Sequence, residues 1–289
     1  MFELAQQALS NLVNHAFLQN AMIGGVLAGV ACGLIGPFVV MRRIGYMAGG
    51  ISHGVLGGMG AAFLLGVAPL YGAILSAVAM ALLIGWVNLR WRAHEDTLIS
   101  AVWATGMALG IIFMHQSPGY RVDLMSYLFG NILFVGRSDL LMMAGVDLVL
   151  LTVLLGYQKY LVAISFDEAF ARQRSIPVTF LSLLLLVLVA LTVVILIQIV
   201  GLILVIALLT LPAAAAGRYS RSVGSMMVIA TVLTILCVQG GLVVSYATDW
   251  PSGPTIVLAT AGVFVLSLLA PRGTAIIRQK PHAEEGGST

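Results

Sequence analysis

Nine apolar runs divide this chain, at residues 17–40, 51–66, 69–88, 98–114, 138–156, 179–197, 199–216, 223–246 and 254–270, and the basic residues fall in alternate gaps between them. Residues 41–50, 89–97, 157–178, 217–222 and 271–289 hold 12 of the 14 lysines and arginines; the other gaps hold only Arg121 and Arg137. A helix of about 20 apolar residues crosses a bilayer, and Lys and Arg concentrate in cytoplasmic loops. The pattern predicts an all-α polytopic membrane protein of nine transmembrane helices, or eight if 179–216 is bent or partly re-entrant. It also places the C-terminus in the cytoplasm and, with nine spans, residues 1–16 outside.

Composition excludes a soluble domain. Sixty per cent of residues are hydrophobic and 9% charged, against about 25% charged in soluble proteins. The basic excess is accounted for by the loop asymmetry, so it implies no nucleic-acid partner. Residues 1–16 interleave Phe2, Leu4, Leu9, Leu12 and Val13 with Glu3, Gln6, Gln7, Asn11 and Asn14, the pattern of a segment lying on the outer interface. They lack the basic start of a cleavable signal peptide. The two longest loops, 115–137 and 157–178, are too short to fold alone, so residues 1–289 form one transmembrane domain ending in a polar tail, 282–289, expected to be disordered. No GxxxxGK[ST] loop is present, which excludes ATP hydrolysis by that route. Cys32 and Cys237 lie inside apolar runs without CxxC spacing and read as core packing.

Glycines repeat every fourth residue in the first two runs, at Gly25, Gly29 and Gly33 and at Gly50, Gly54 and Gly58. Such ridges let helices approach closely in lipid, which predicts tight packing between these two spans. His53 lies one turn inside the second run with Gly49 and Gly57 on its own face. Ionisable groups at this depth usually face the bundle interior or a hydrated path, and neutral imidazole is a ligand for zinc, manganese or iron. The alternative is a histidine bonded to a neighbouring carbonyl. Ser52 beside it reads as a packing or capping hydroxyl.

Asp147 is the other deep charge, a candidate path residue that a hydroxyl on a nearby helix would equally satisfy. Asp249 precedes Pro251, Gly253 and Pro254, and either lines an outer vestibule or caps the last span. On the cytoplasmic side, residues 165–176 place Asp167, Glu168, Arg172 and Arg174 on a short charged helix ending near Pro177, either a surface linker or a docking element.

The ordered segments VVMRRIGYMAGGISHGVLGG, EDTLISAVWATGMALGIIF, DLMSYLFGNIL, SFDEAFARQRSIP, VGLILVIALLTLPAAAA and DWPSGPTIVL resemble, over residues 17–270, the permease subunits of manganese, zinc and iron ABC transporters. The resemblance implies a bacterial plasma-membrane permease of that family's helical-bundle fold, working as a homodimer with cytosolic ATPases and an extracytoplasmic metal-binding protein. A divalent metal is then the cargo, import the implied direction, and no cofactor is bound permanently. It further implies that His53 belongs to a metal path, with Gly49, Gly50, Gly54, Gly57 and Gly58 packing beside it, and that the segment around Glu168 is the coupling helix. Family members commonly carry an Asp four residues before this histidine. Here that position is Gly49, so a hard oxygen ligand is missing, and a second His53 across the dimer or Asp147 is left to replace it. Competing classes are a permease for an iron chelate or corrinoid and an ion-coupled secondary carrier using Asp147. A Ser52–His53 hydrolase is disfavoured, because neighbours on a helix point about 100° apart and no GxSxG is present.

Overall fold

The computed structural model describes residues 16–90, 95–117, 130 and 132–270. The tail 282–289 and all but Ala16 of the amphipathic segment 1–16 lie outside the described residues. With no water in the hydrocarbon layer, each spanning segment must satisfy its backbone internally, which leaves helices for apolar runs like these. Among the described residues they are α1 (Ala16–Met41), α2 (Gly45–Leu64), α3 (Pro69–Arg90), α4 (Glu95–Gln116), α5 (Arg137–Phe166), α6 (Glu168–Gln173), α7 (Val178–Val200), α8 (Leu202–Gly217), α9 (Val223–Thr248) and α10 (Ser252–Leu269), with a 3-10 turn at Ile132–Phe134. Hydroxyls inside the spans bond back to their own helix, as Thr192 does to the Leu188 carbonyl at 2.8 Å and Thr260 to that of Ile256 at 2.7 Å.

Eight of these helices are long and apolar enough to cross a membrane, and α8, with 16 residues, is shorter. The break before it falls at Gly201, whose φ of 82° is left-handed and costs glycine little. Near its start, Ile203 and Leu204 line a cavity with Gly253, Pro254, Val257 and Leu258 at the beginning of α10. Just past its end, Arg218 and Tyr219 donate to the carbonyls of Leu268 and Ser267 at the close of α10. α8 therefore accompanies α10 from end to end, the arrangement a ninth crossing requires. This keeps the alternation of basic and non-basic loops intact.

The glycine ridges do pack closely, but not against each other as the spacing suggested. A Cβ on Gly25, Gly29 or Gly33 would meet Val238, Ile235 or Thr231 of α9 at 2.7, 2.5 and 2.0 Å. α2 instead lies between α3 and α4. A Cβ on Gly58 would stand 2.4 Å from the Gly72 carbonyl oxygen of α3, and one on Gly60 2.5 Å from that of Gly110 on α4. On the remaining side, α2 meets α7, whose buried face is built from Leu181, Leu185, Leu188, Val189 and Val193.

Candidate functional site

His53 sits eight residues into α2, about 12 Å from the helix start at 1.5 Å per residue. Its ring is half-buried and lies flat on the indole of Trp103 from α4, with centroids 4.1 Å apart and planes 10° off parallel. The close α2–α4 approach makes this possible: a Cβ at Gly106 would lie 2.6 Å from the Gly54 Cα. The indole N–H donates to the Met107 sulfur at 3.0 Å, fixing the plate against which the imidazole stacks. His53 Nδ1 is buried and has no hydrogen-bond partner among the described residues. Buried polar atoms are normally satisfied, so this nitrogen's open lone pair or proton is the chemically available feature of the site. The alternative of a carbonyl-bonded histidine is not what the structure shows at Nδ1. Ser52 is occupied locally, donating to the Gly49 carbonyl at 2.7 Å.

A polar and aromatic stripe leads from His53 toward the basic end of the bundle. Tyr46, two turns earlier on α2, packs on Trp103 with centroids 6.5 Å apart and hydrogen-bonds Ser100 of α4 at 2.5 Å. Ser100 in turn donates to the Asp96 carbonyl at 2.8 Å. Gly49 lies between Tyr46 and His53, and a Cβ there would find only the Ile206 Cδ1 at 3.9 Å. The position therefore has room for a side chain.

Asp147 is placed elsewhere. It is 8% exposed on α5, which packs on α1 and α7, whereas α2 packs mainly on α3, α4 and α7. Its Oδ2 has no partner among the described residues, so no hydroxyl satisfies that oxygen. No three His, Cys, Asp or Glu side chains converge among the described residues, and within one chain Asp147 does not join His53 in a metal cluster. Asp249 is an exposed residue with φ of 55° that terminates α9 rather than capping the last span; Pro251 precedes α10. Gly50 and Gly54 hold α2 against Ile99 and Met80, and Gly57 approaches the Gly106 carbonyl.

The charged helix is real but shorter than 165–176. Asp167 caps α6 by accepting the Phe170 N–H at 2.9 Å. Glu168 turns inward and pairs with Arg42 at the end of α1, while Arg172 and Arg174 stay exposed, Arg174 lying 5.4 Å over the Phe170 ring. Trp103, Tyr46 and Arg42 were missed as site residues in the sequence. An aromatic in an apolar run and an arginine in a basic loop carry no signal of their partners.

The features together define a membrane-embedded transport subunit: a polytopic bundle, a histidine with an open nitrogen at membrane depth, and a charged helix displayed at the basic end. A family model described as the ABC 3 transport family matches residues 14–271, and the chain belongs to that family. It is 42% identical to the uncharacterized membrane protein slr2045 of Synechocystis sp., over 91% of this chain and 93% of that one. It is 33% identical to the manganese import system permease protein ScaB of Streptococcus gordonii, over 93% and 97%. Among solved structures it resembles PsaBC from Streptococcus pneumoniae in complex with Fab, with a TM-score of 0.84 and 34% identity over 92% of this chain and 96% of that one.

Proposed function

We propose that this chain is the permease subunit of an ATP-driven importer of a divalent metal ion in the bacterial plasma membrane, with manganese the first cargo to test and zinc and iron the alternatives. The observation that carries the reading is the His53 imidazole, stacked on Trp103 with a buried Nδ1 that has no hydrogen-bond partner among the described residues. A neutral imidazole nitrogen is a good donor to such ions, and the manganese import permease ScaB is similar over nearly its whole length. Among the described residues no cluster of three His, Cys, Asp or Glu side chains forms around His53, which favours a path completed by a second copy of the chain, with two imidazoles facing one route.

The reading includes a cytosolic ATPase and an extracytoplasmic metal-binding protein as partners. The ATPase docks on the outward face of α6, where Phe166, Asp167, Phe170, Arg172 and Arg174 are exposed. The basic loops and the C-terminal tail face the cytoplasm by the positive-inside asymmetry. His53→Ala, tested in the assembled transporter with radioactive manganese, is expected to abolish uptake while leaving yield and ATPase association unchanged, since the Trp103 indole under the ring stays held by its own bond to Met107. Wild-type uptake of manganese, zinc and iron at normal expression would remove His53 from the path.

A further inference from the structure

We propose that the Arg42–Glu168 ion pair is the strut that carries movement of α6 to the His53 helix, a positioning element between the ATPase contact and the metal path. The inference rests on the proposed docking of an ATPase on α6. Arg42 extends from the turn that joins α1 to α2, and its guanidinium bonds Glu168 of α6 and the Ser182 hydroxyl of α7, the latter at 3.0 Å. The two side chains are 14% and 28% exposed, so the pair is partly shielded from water and geometrically committed. One guanidinium thereby ties three elements together, the α1–α2 turn that carries it, α6 through Glu168 and α7 through Ser182.

The surroundings fit a moving joint. Beside the pair lies a cavity of about 290 Å³, walled by the α1–α2 turn, the end of α3, α6 and the start of α7, with Asn88, Gly85 and Met47 among its lining residues. Close-packed interiors transmit displacement and resist rearrangement; a half-open cleft between these elements leaves α6 and the turn unpacked on one side, with room to shift together. The turn itself is short. Arg43 is held at φ 57°, and the Ile44 N–H donates back to the Val39 carbonyl, so little slack separates Arg42 from Gly45, where α2 begins. From there α2 is clamped to α4 by the Gly54–Gly106 and Gly60–Gly110 approaches. A displacement of Arg42 therefore moves His53 and its Trp103 plate as one unit. Glu168, facing inward, acts through Arg42, and the ATPase is met by the outward residues of α6.

Charge exchange tests the strut. In the complete transporter with its ATPase and binding protein, Arg42→Glu and Glu168→Arg are expected each to lower manganese uptake by about tenfold, within the range of a typical coupling between sites. ATPase copurification and ATP hydrolysis without metal should persist, a pattern that mere misfolding would not give. The double exchange Arg42→Glu/Glu168→Arg should recover most of the uptake, because it restores opposite charges at the same place. Single variants with unimpaired uptake, or a double exchange no better than the singles, would overturn the strut. Loss of ATPase copurification in Glu168→Arg alone would overturn it too, by showing Glu168 to be a direct ATPase contact. Failure of the ATPase to associate with the unmodified chain would instead refute the docking on which the inference rests.

Discussion

α2 and α7 are buried to the same extent, each with 67% of its most apolar window inside the protein, yet they achieve it by opposite means. α2 has seven glycines and a histidine, and its neighbours come down onto its backbone; α7 has no glycine and fills its surroundings with Leu, Val and Ile. In lipid, where water does not drive helices together, close backbone approach and interhelical van der Waals contact do the work. The glycine-packed helix is seated directly on its neighbours' backbones and leaves lateral room for the His53 ring. The leucine-packed helix gains bulk that tolerates adjustment. A site that must place one imidazole accurately belongs on the first kind.

The sharpest way to break the contrast is to add side chains where backbones touch. Gly58→Val would drive its Cβ to 2.4 Å from the Gly72 carbonyl oxygen, a backbone atom that cannot step aside, and the expected result is loss of monodisperse protein on size-exclusion chromatography. Gly145→Val on α5, whose Cβ would meet nothing within 4 Å, serves as the control and should be recovered normally. Equal recovery of both variants would refute the claim that α2 is fixed by backbone contact.

A smaller effect is expected from cutting a side chain out of α7. Leu185 is fully buried, and a buried Leu→Ala change costs about 2–5 kcal/mol through lost burial and the cavity left behind. Leu185→Ala should lower the melting temperature of the purified protein but leave it folded, with uptake retained below that temperature. If monodisperse Leu185→Ala protein is lost on size-exclusion chromatography, as expected of Gly58→Val, the two helices do not differ in tolerance.

The spans were legible because the bilayer leaves few options: a run of about 20 apolar residues must be a helix. Their ends were less so, since α5 continues to Phe166, ten residues past the expected run 138–156, and α2 begins at Gly45 rather than 51. His53 was legible for the same reason, as an ionisable group where such groups are costly. The partners were not. Spacing at Gly25, Gly29 and Gly33 says that some backbone approaches, and only the three-dimensional arrangement says that it is α9 and not α2. Arg42 and Glu168 are 126 residues apart, and charges in loops are ordinarily solvated, so nothing in either segment announces the pair. Of the two readings of Asp249, the cap on the last span gives way to a left-handed residue that ends α9, with Pro251 at the start of α10. The shortness of α8 follows from Gly201, a single residue inside one long apolar stretch.

The smallest expected effect is a change of preference. Gly49 precedes His53 by one turn, and residues four apart on a helix share a face, so a side chain at 49 lies beside the imidazole. The site has space for it, with only the Ile206 Cδ1 within 4 Å of a Cβ. Gly49→Asp would supply the carboxylate oxygen that similar permeases commonly hold there, and carboxylates suit manganese better than softer ions. The variant should fold, because the added group displaces no backbone, and its ratio of manganese to zinc uptake should rise severalfold over the unmodified chain. Measuring both metals in one competition assay separates a change of preference from a change in the number of active transporters. An unaltered ratio in a well-expressed variant would place position 49 outside the path.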